Sequence, residues 1–216
     1  MILTVGGEKG GPGKTTIATN LAAIATQNDV DVLLINTDPQ DSAGYWASNR
    51  MSIYPANKQI SCISLRGDTI AKDIQDLSQR YKVVIIDAGG RDSVELRASL
   101  VVTELFLIPL RPSQFDVWTL PKLQELLVMV SPINPSIKAF VVANQVHPTS
   151  FDRARLEMQN LLSEYPKIHL LKAMLGSRAA YQNAICEGLS VTEMLKKDLK
   201  ANSEILGLYS EVFNEA

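Results

Sequence analysis

The stretch GGEKGGPGKTT, residues 6–16, follows directly on an apolar run at 1–5 and combines five glycines and a proline with two lysines. Within it GEKGGPGKT, residues 7–15, fits G-x-x-x-x-G-K-[ST]. A strand-length apolar run before it and a helix-length segment after it supply the context that this pattern requires. Gly10, Gly11 and Gly13 let the backbone bend so that successive N–H groups point inward at phosphate oxygens, and the helix that follows adds its partial positive charge. Lys14 then reaches the β- and γ-phosphates of a nucleotide, and the Thr15 hydroxyl ligates Mg²⁺. One lysine suffices for such a loop, so Lys9 needs its own explanation.

Working outward, Val-, Ile- and Leu-rich runs at 1–5, 31–36, 60–65, 82–87, 104–110, 137–144 and 168–175 read as buried strands. Helix-length segments at 15–27, 68–80, 92–100, 114–130, 150–164 and 178–187 lie between them. Strands alternating with helices predict parallel pairing with right-handed crossovers, hence a layered α/β fold of the P-loop NTPase kind with a mostly parallel central sheet. Leu195, Leu199, Ile205, Leu206, Leu208 and Val212 recur at roughly helical spacing, so 188–216 is expected to form one or two closing helices.

With 216 residues, 46% of them hydrophobic, the chain can bury a sizeable core and is read as a single domain, 1–216. A net charge of −2 argues against a protein that coats nucleic acid over its whole surface but leaves room for a local basic patch. Cys62 and Cys186 have no metal-ligand spacing and are expected to be buried structural thiols. No apolar run approaches the ~20 residues of a membrane span, and residue 1 leads straight into a strand, so the expectation is a cytoplasmic protein.

KGGPGKTT, residues 9–16, matches K-G-G-x-G-K-[ST]-[ST], and here the chain resembles the deviant Walker A ATPases of the ParA and MinD family. The resemblance implies that Gly10, Gly11, Pro12, Gly13, Lys14, Thr15 and Thr16 contact the nucleotide. It also implies that Lys9 crosses a homodimer interface to the phosphates held by the other subunit. A cation held against a triphosphate in a site closed to water is worth far more than one in a solvated loop, so Lys9 makes dimerisation depend on ATP.

The resemblance continues along the chain. Asp38-Pro39-Gln40 stands at the switch I position, where Asp38 orients water or the Mg²⁺ shell; many relatives carry an acid where this chain has Asn36. Asp87, closing YKVVIIDAGG, matches a Walker B carboxylate for Mg²⁺, followed by Ala88-Gly89-Gly90 where relatives often have Pro. The two glycines are expected to give a mobile switch II loop or a backbone N–H near the γ-phosphate, and Arg91 and Asp92 to be as readily solvated as functional. In IPLRPSQFDVWTL, residues 108–120, Phe115 and Trp118 are expected to be core packing rather than contacts at a dimer face. Asn144 matches the residue that recognises adenine with its amide.

In partition ATPases basic residues of the C-terminal region contact DNA phosphates, and Arg178, Lys196, Lys197 and Lys200 are the corresponding candidates. The implied protein is a small ParA-type ATPase without an N-terminal DNA-reading domain. It would be nucleoid-associated when ATP-bound, holding nonspecific DNA as a dimer until a centromere-binding partner stimulates hydrolysis. A MinD-like or other cargo-positioning ATPase, a metal-cluster carrier, and a P-loop enzyme acting on a small molecule stay open as alternatives. Residues 201–216, with glutamates and no lysine or arginine, speak against a membrane-binding C-terminal helix.

Overall fold

The computed structural model describes residues 1–54, 59–112 and 118–215. Seven strands form one sheet: β1 (Ile2–Val5), β2 (Val32–Asn36), β3 (Ser61–Ser64), β4 (Val83–Asp87), β5 (Leu105–Leu110), β6 (Lys138–Val146) and β7 (Ile168–Gly176). The helices are α1 (Lys14–Gln27), α2 (Ser42–Ile53), α3 (Ile70–Ser78), α4 (Val94–Val102), α5 (Leu120–Val130), α6 (Phe151–Leu162), α7 (Ala179–Cys186) and α8 (Leu199–Ser210), and a π-helical turn, Glu211–Glu215, extends the last. The strand order is β3-β2-β4-β1-β5-β6-β7, and every pair is parallel.

Both faces of the sheet are apolar, which is why its strands read as continuous hydrophobic runs. Alternate residues divide between faces: Leu3, Leu34 and Ile85 join one core with α1, α2, α7 and α8, while Ile2, Ile35 and Ile86 join another beneath α3. Phe106, Ile108 and Val141 pack under α4, α5 and α6. Helix α1 is buried on all sides from Ile17 to Ala25, so it carries little amphipathic signal and serves as the central strut behind the sheet.

Register places the site. Asp87 lies opposite Val5 on one side and Asn36 on the other, so the loops leaving β1, β2 and β4 emerge side by side. The order reverses at β1, between β4 and β5, and a crevice outside the carboxyl ends of strands at such a reversal is where open α/β sheets bind ligands.

Several expectations are corrected. Trp118 is 63% exposed, because it precedes the buried stripe of α5 formed by Leu120, Leu123 and Leu127; Phe115 lies outside the described residues. Cys186 is exposed at the end of α7; Cys62 is half-buried, its thiol pushed up to about 12 by burial. Of the C-terminal apolar residues, Ile205, Leu208 and Val212 are buried, whereas Leu195, Leu199 and Leu206 are exposed.

Helix α2 is an addition to the expected elements. Its buried residues, Ala43, Trp46, Ala47 and Arg50, have helical spacing, but the last is charged and the stripe does not read as apolar. Arg50 is tolerated there because Glu193 takes its guanidinium through two 2.8 Å hydrogen bonds, with Trp46 and Tyr54 packed against it.

Candidate functional site

The phosphate-loop residues close around a cavity of about 470 Å³ that Gly10, Lys14, Thr15, Asp38, Asn144 and Arg178 help line. Gly11 and Gly13 have φ of 92° and 91°, a left-handed conformation that side chains resist. At Gly13 a Cβ would stand 2.4 Å from the Asn144 amide nitrogen, so this glycine serves both conformation and close packing.

The loop is braced by the end of β6. Asn144 Nδ2 donates to the Pro12 carbonyl at 2.6 Å, and Gln145 Nε2 donates to the Gly11 carbonyl at 3.0 Å. Those two bonds tie the carbonyls of the loop to the end of β6. Asn144 Oδ1 meanwhile accepts from the Gln145 N–H at 2.8 Å, so both ends of the amide already hold backbone. The expected adenine reader is thus first a brace; one Nδ2 hydrogen and one Oδ1 lone pair remain for a base.

Lys14 is buried, and its Nζ donates to the Lys9 carbonyl at 2.7 Å. Burial lowers its pKa, against the pull of the Asp87 and Asp38 carboxylates, which shows that the three charges share one field. Asp87 is fully buried, and desolvation raises its pKa to about 7; the Thr15 hydroxyl and Lys14 oppose the shift, while Asp38 adds to it.

The donor set for Mg²⁺ can be tested on these atoms. Thr15 Oγ1 donates to Asp87 Oδ2 at 2.7 Å, while Asp87 Oδ1 is buried with no hydrogen-bond partner. A buried, unpartnered carboxylate oxygen beside a hydroxyl is a site short of one cation, and the residues fit Mg²⁺. Among the described residues no group of three or more His, Cys, Asp or Glu could hold a metal by itself. The ion's remaining ligands would therefore be phosphate oxygens and water, the usual manner of Mg²⁺.

Switch I explains the departure at Asn36. This residue is fully buried; its Oδ1 accepts from the Asp38 N–H at 3.0 Å and its Nδ2 donates to Asp41 Oδ1. An acid at position 36 would set two carboxylates in contact, so the amide belongs with Asp41, the left-handed N-terminal residue of α2. Arg66, after β3, completes the clamp by donating to the carbonyls of Asn36 and Asp38, both at 2.8 Å. Sequence reasoning overlooked Arg66, Asp41 and Gln145; the arginine's only signal was its place just past a strand that ends at this crevice.

Switch II packs against the phosphate loop. A Cβ at Gly90 would stand 2.7 Å from Gly10 N and 2.8 Å from Lys9 C, so the second glycine is required by backbone contact with the loop. Gly89 faces Asp38 at ordinary contact distance. A second cavity of about 530 Å³ opens here, lined by Gly10, Asp38, Gly89, Gly90 and Arg91 among others. Gly10 and Asp38 border both cavities. Asp92 pairs with Arg97 at the surface.

The C-terminal basic residues separate into two groups. Arg178 lines the nucleotide cavity, and both its Nε and Nη2 donate to Glu204 of α8, the first at 2.9 Å. Its charge is balanced within the chain by Glu204. Lys196, Lys197 and Lys200 are exposed together around the start of α8, next to Leu195 and Leu199.

Comparison with known proteins agrees with this geometry. Residues 3–191 match the CobQ/CobB/MinD/ParA nucleotide binding domain. The chain is 28% identical over 211 residues to "Maintenance of carboxysome distribution protein A" of Halothiobacillus neapolitanus, covering 97% of this chain and 95% of that one. The fold superposes on the Pyrococcus furiosus cell division ATPase MinD with a TM-score of 0.73 at 15% identity, covering 100% of this chain and 99% of the other. An ATP complex of Cyanothece McdA gives a TM-score of 0.73 at 15% identity, covering 97% and 95%. Among the described residues no helix is long and apolar enough to cross a membrane.

Proposed function

The chain belongs to the CobQ/CobB/MinD/ParA nucleotide-binding domain family, and on that premise we propose that it is an ATP-driven switch of ParA type. Two nucleotide-loaded copies close face to face, the closed dimer holds nonspecific DNA, and hydrolysis stimulated by a partner bound to the cargo opens it again. The observation that carries the reading is the coupling of the two lysines. Lys14 Nζ is bonded to the Lys9 carbonyl, and Gly10, the next residue, lines both the phosphate cavity and the cavity beside switch II. An ATP-dependent dimer brings a cation into the partner's site through that second opening.

Each residue has a part in the chemistry. The loop N–H groups from Gly10 to Thr16, Pro12 having none, hold the phosphates, with Asn144 and Gln145 bracing the loop through its carbonyls. Thr15 and Asp87, with Asp38 nearby, would hold Mg²⁺, and the ion would supply neutralisation of phosphate charge. Asp38, fixed by Asn36 and Arg66, orients the attacking water. As water adds to the γ-phosphorus its bond to the bridging oxygen breaks, and charge collecting on the leaving ADP is met by Lys14 and by the partner subunit's Lys9. Asn144 contacts adenine with its remaining donor and acceptor. Lys196, Lys197 and Lys200 meet DNA phosphates.

The cargo is a plasmid or chromosome in this reading. A second reading keeps the switch and the DNA surface but carries a protein compartment; it is favoured by similarity along nearly the whole length of a carboxysome distribution protein. Titration of duplex DNA with ATP, with ADP and without nucleotide, at two salt concentrations, tests the switch. Binding with ATP alone, weakening steeply with salt, is the expected result. Binding indifferent to nucleotide, or absent in every state, would refute it.

A further inference from the structure

A second region of the molecule offers a cavity apart from the phosphate loop. It is a cleft of about 650 Å³ between the C-terminal end of α5 and the amino-terminal parts of β6 and β7, the strands whose carboxyl ends border the phosphate-loop cavity. Its floor is apolar, formed by Leu127, Ile137, Ala139, Phe140 and Leu171, and its charged border is Lys138, Lys167, Lys172 and His169 against one acid, Glu211.

That acid is already committed. Strand β7 is an edge strand, and its pairing with β6 is irregular between Val141 and Ala143, where the β7 partners jump from Leu170 to Met174. Such an irregularity frees backbone donors and re-aims side chains. Glu211 takes two of the donors, accepting from the Lys172 N–H at 2.7 Å and the Ala173 N–H at 2.8 Å. Those bonds fix the carboxylate without neutralising it, and three lysines against one glutamate leave the border net positive.

Ile137 and Phe140, among the apolar lining residues, are only partly buried, so the apolar part of the cleft is open to a ligand. A polyanion such as DNA needs cations at its phosphates and gains nothing from an apolar floor. A protein segment that alternates carboxylates with large apolar side chains satisfies both parts of the surface.

We propose that this cleft is a docking site for an acidic amphipathic segment of a partner protein, which seats its apolar side chains between α5 and the β6–β7 edge and its carboxylates on Lys138, Lys167 and Lys172. The site is separate from the nucleotide cavity and stands whether or not the chain hydrolyses ATP. Fluorescence anisotropy tests it with a fluorescein-labelled helical peptide of leucines and glutamates, its counterpart with lysines in place of the glutamates, and a labelled DNA duplex. The acidic peptide is expected to bind saturably, the basic one not.

Lys138→Glu with Lys167→Glu should weaken the acidic peptide at least about tenfold, and Ile137→Glu, at a residue lining the cleft, should weaken it without changing DNA binding. Circular dichroism and nucleotide binding report whether the variants are folded, and the two-peptide comparison needs only the unaltered chain. Equal binding of the two peptides would overturn the proposal. So would a charge reversal that weakens DNA binding and leaves the acidic peptide unaffected, since the lysines would then serve nucleic acid.

Discussion

Replacing Asp87 with asparagine isolates the buried carboxylate proposed to hold Mg²⁺. In the folded chain its pKa is raised to about 7, chiefly because burial strips water from the charged form. An aspartate in the unfolded chain stays near 3.8. A carboxyl whose pKa is raised by folding stabilises the fold while it stays protonated. That contribution is fully present below the unfolded value and is lost as pH rises through the folded one. With those two values, this group alone makes the nucleotide-free protein about 2–3 kcal/mol less stable at about pH 8 than at about pH 5. Asparagine does not titrate. Urea unfolding of both proteins at those two pH values, with chelator and without nucleotide, should therefore show the difference between variant and parent moving by about 2–3 kcal/mol in the variant's favour toward high pH. The same variant should lose Mg²⁺-dependent nucleotide binding. A stability difference that is flat with pH would refute the reasoning, because it would mean that Asp87 ionises at no cost in its present surroundings.

Two further substitutions probe the frame around the site. Gly90→Ala puts a methyl group within 3 Å of the Lys9–Gly10 backbone; an overpacking cost of about 1–3 kcal/mol should fall on the phosphate loop, read as weakened nucleotide binding by calorimetry while overall secondary structure is kept. Arg50→Met strands Glu193 in a buried position, which should cost about 3–5 kcal/mol in denaturant unfolding, and the double change with Glu193→Leu should recover much of the loss.

The sheet was readable because its strands are buried on both faces, so each appears as an unbroken apolar run such as VVIID or LFLIPL. Helix α2 escaped for the opposite reason: its inward stripe ends in Arg50, whose partner Glu193 is 143 residues away, and no local pattern records such a pairing. Lys14, Thr15 and Asp87 could be named because a phosphate loop and a strand-ending acid each carry a fixed local spacing. Asn36 looked like a departure until Asp41 was seen to hold the carboxylate that its amide faces. Arg178 illustrates the limit most clearly, since nothing local in the sequence records that Glu204 of α8 is its partner. In each case the missing information was a long-range partner rather than a propensity.

Sedimentation velocity of the chain and of Lys9→Ala, each without nucleotide and with Mg²⁺ and a slowly hydrolysed ATP analogue, tests the switch most directly. The intact protein should pass from monomer to dimer only when loaded, and the alanine variant should bind the analogue yet stay monomeric. A loaded parent that remains monomeric, or a variant that dimerises as well as its parent, would contradict the account.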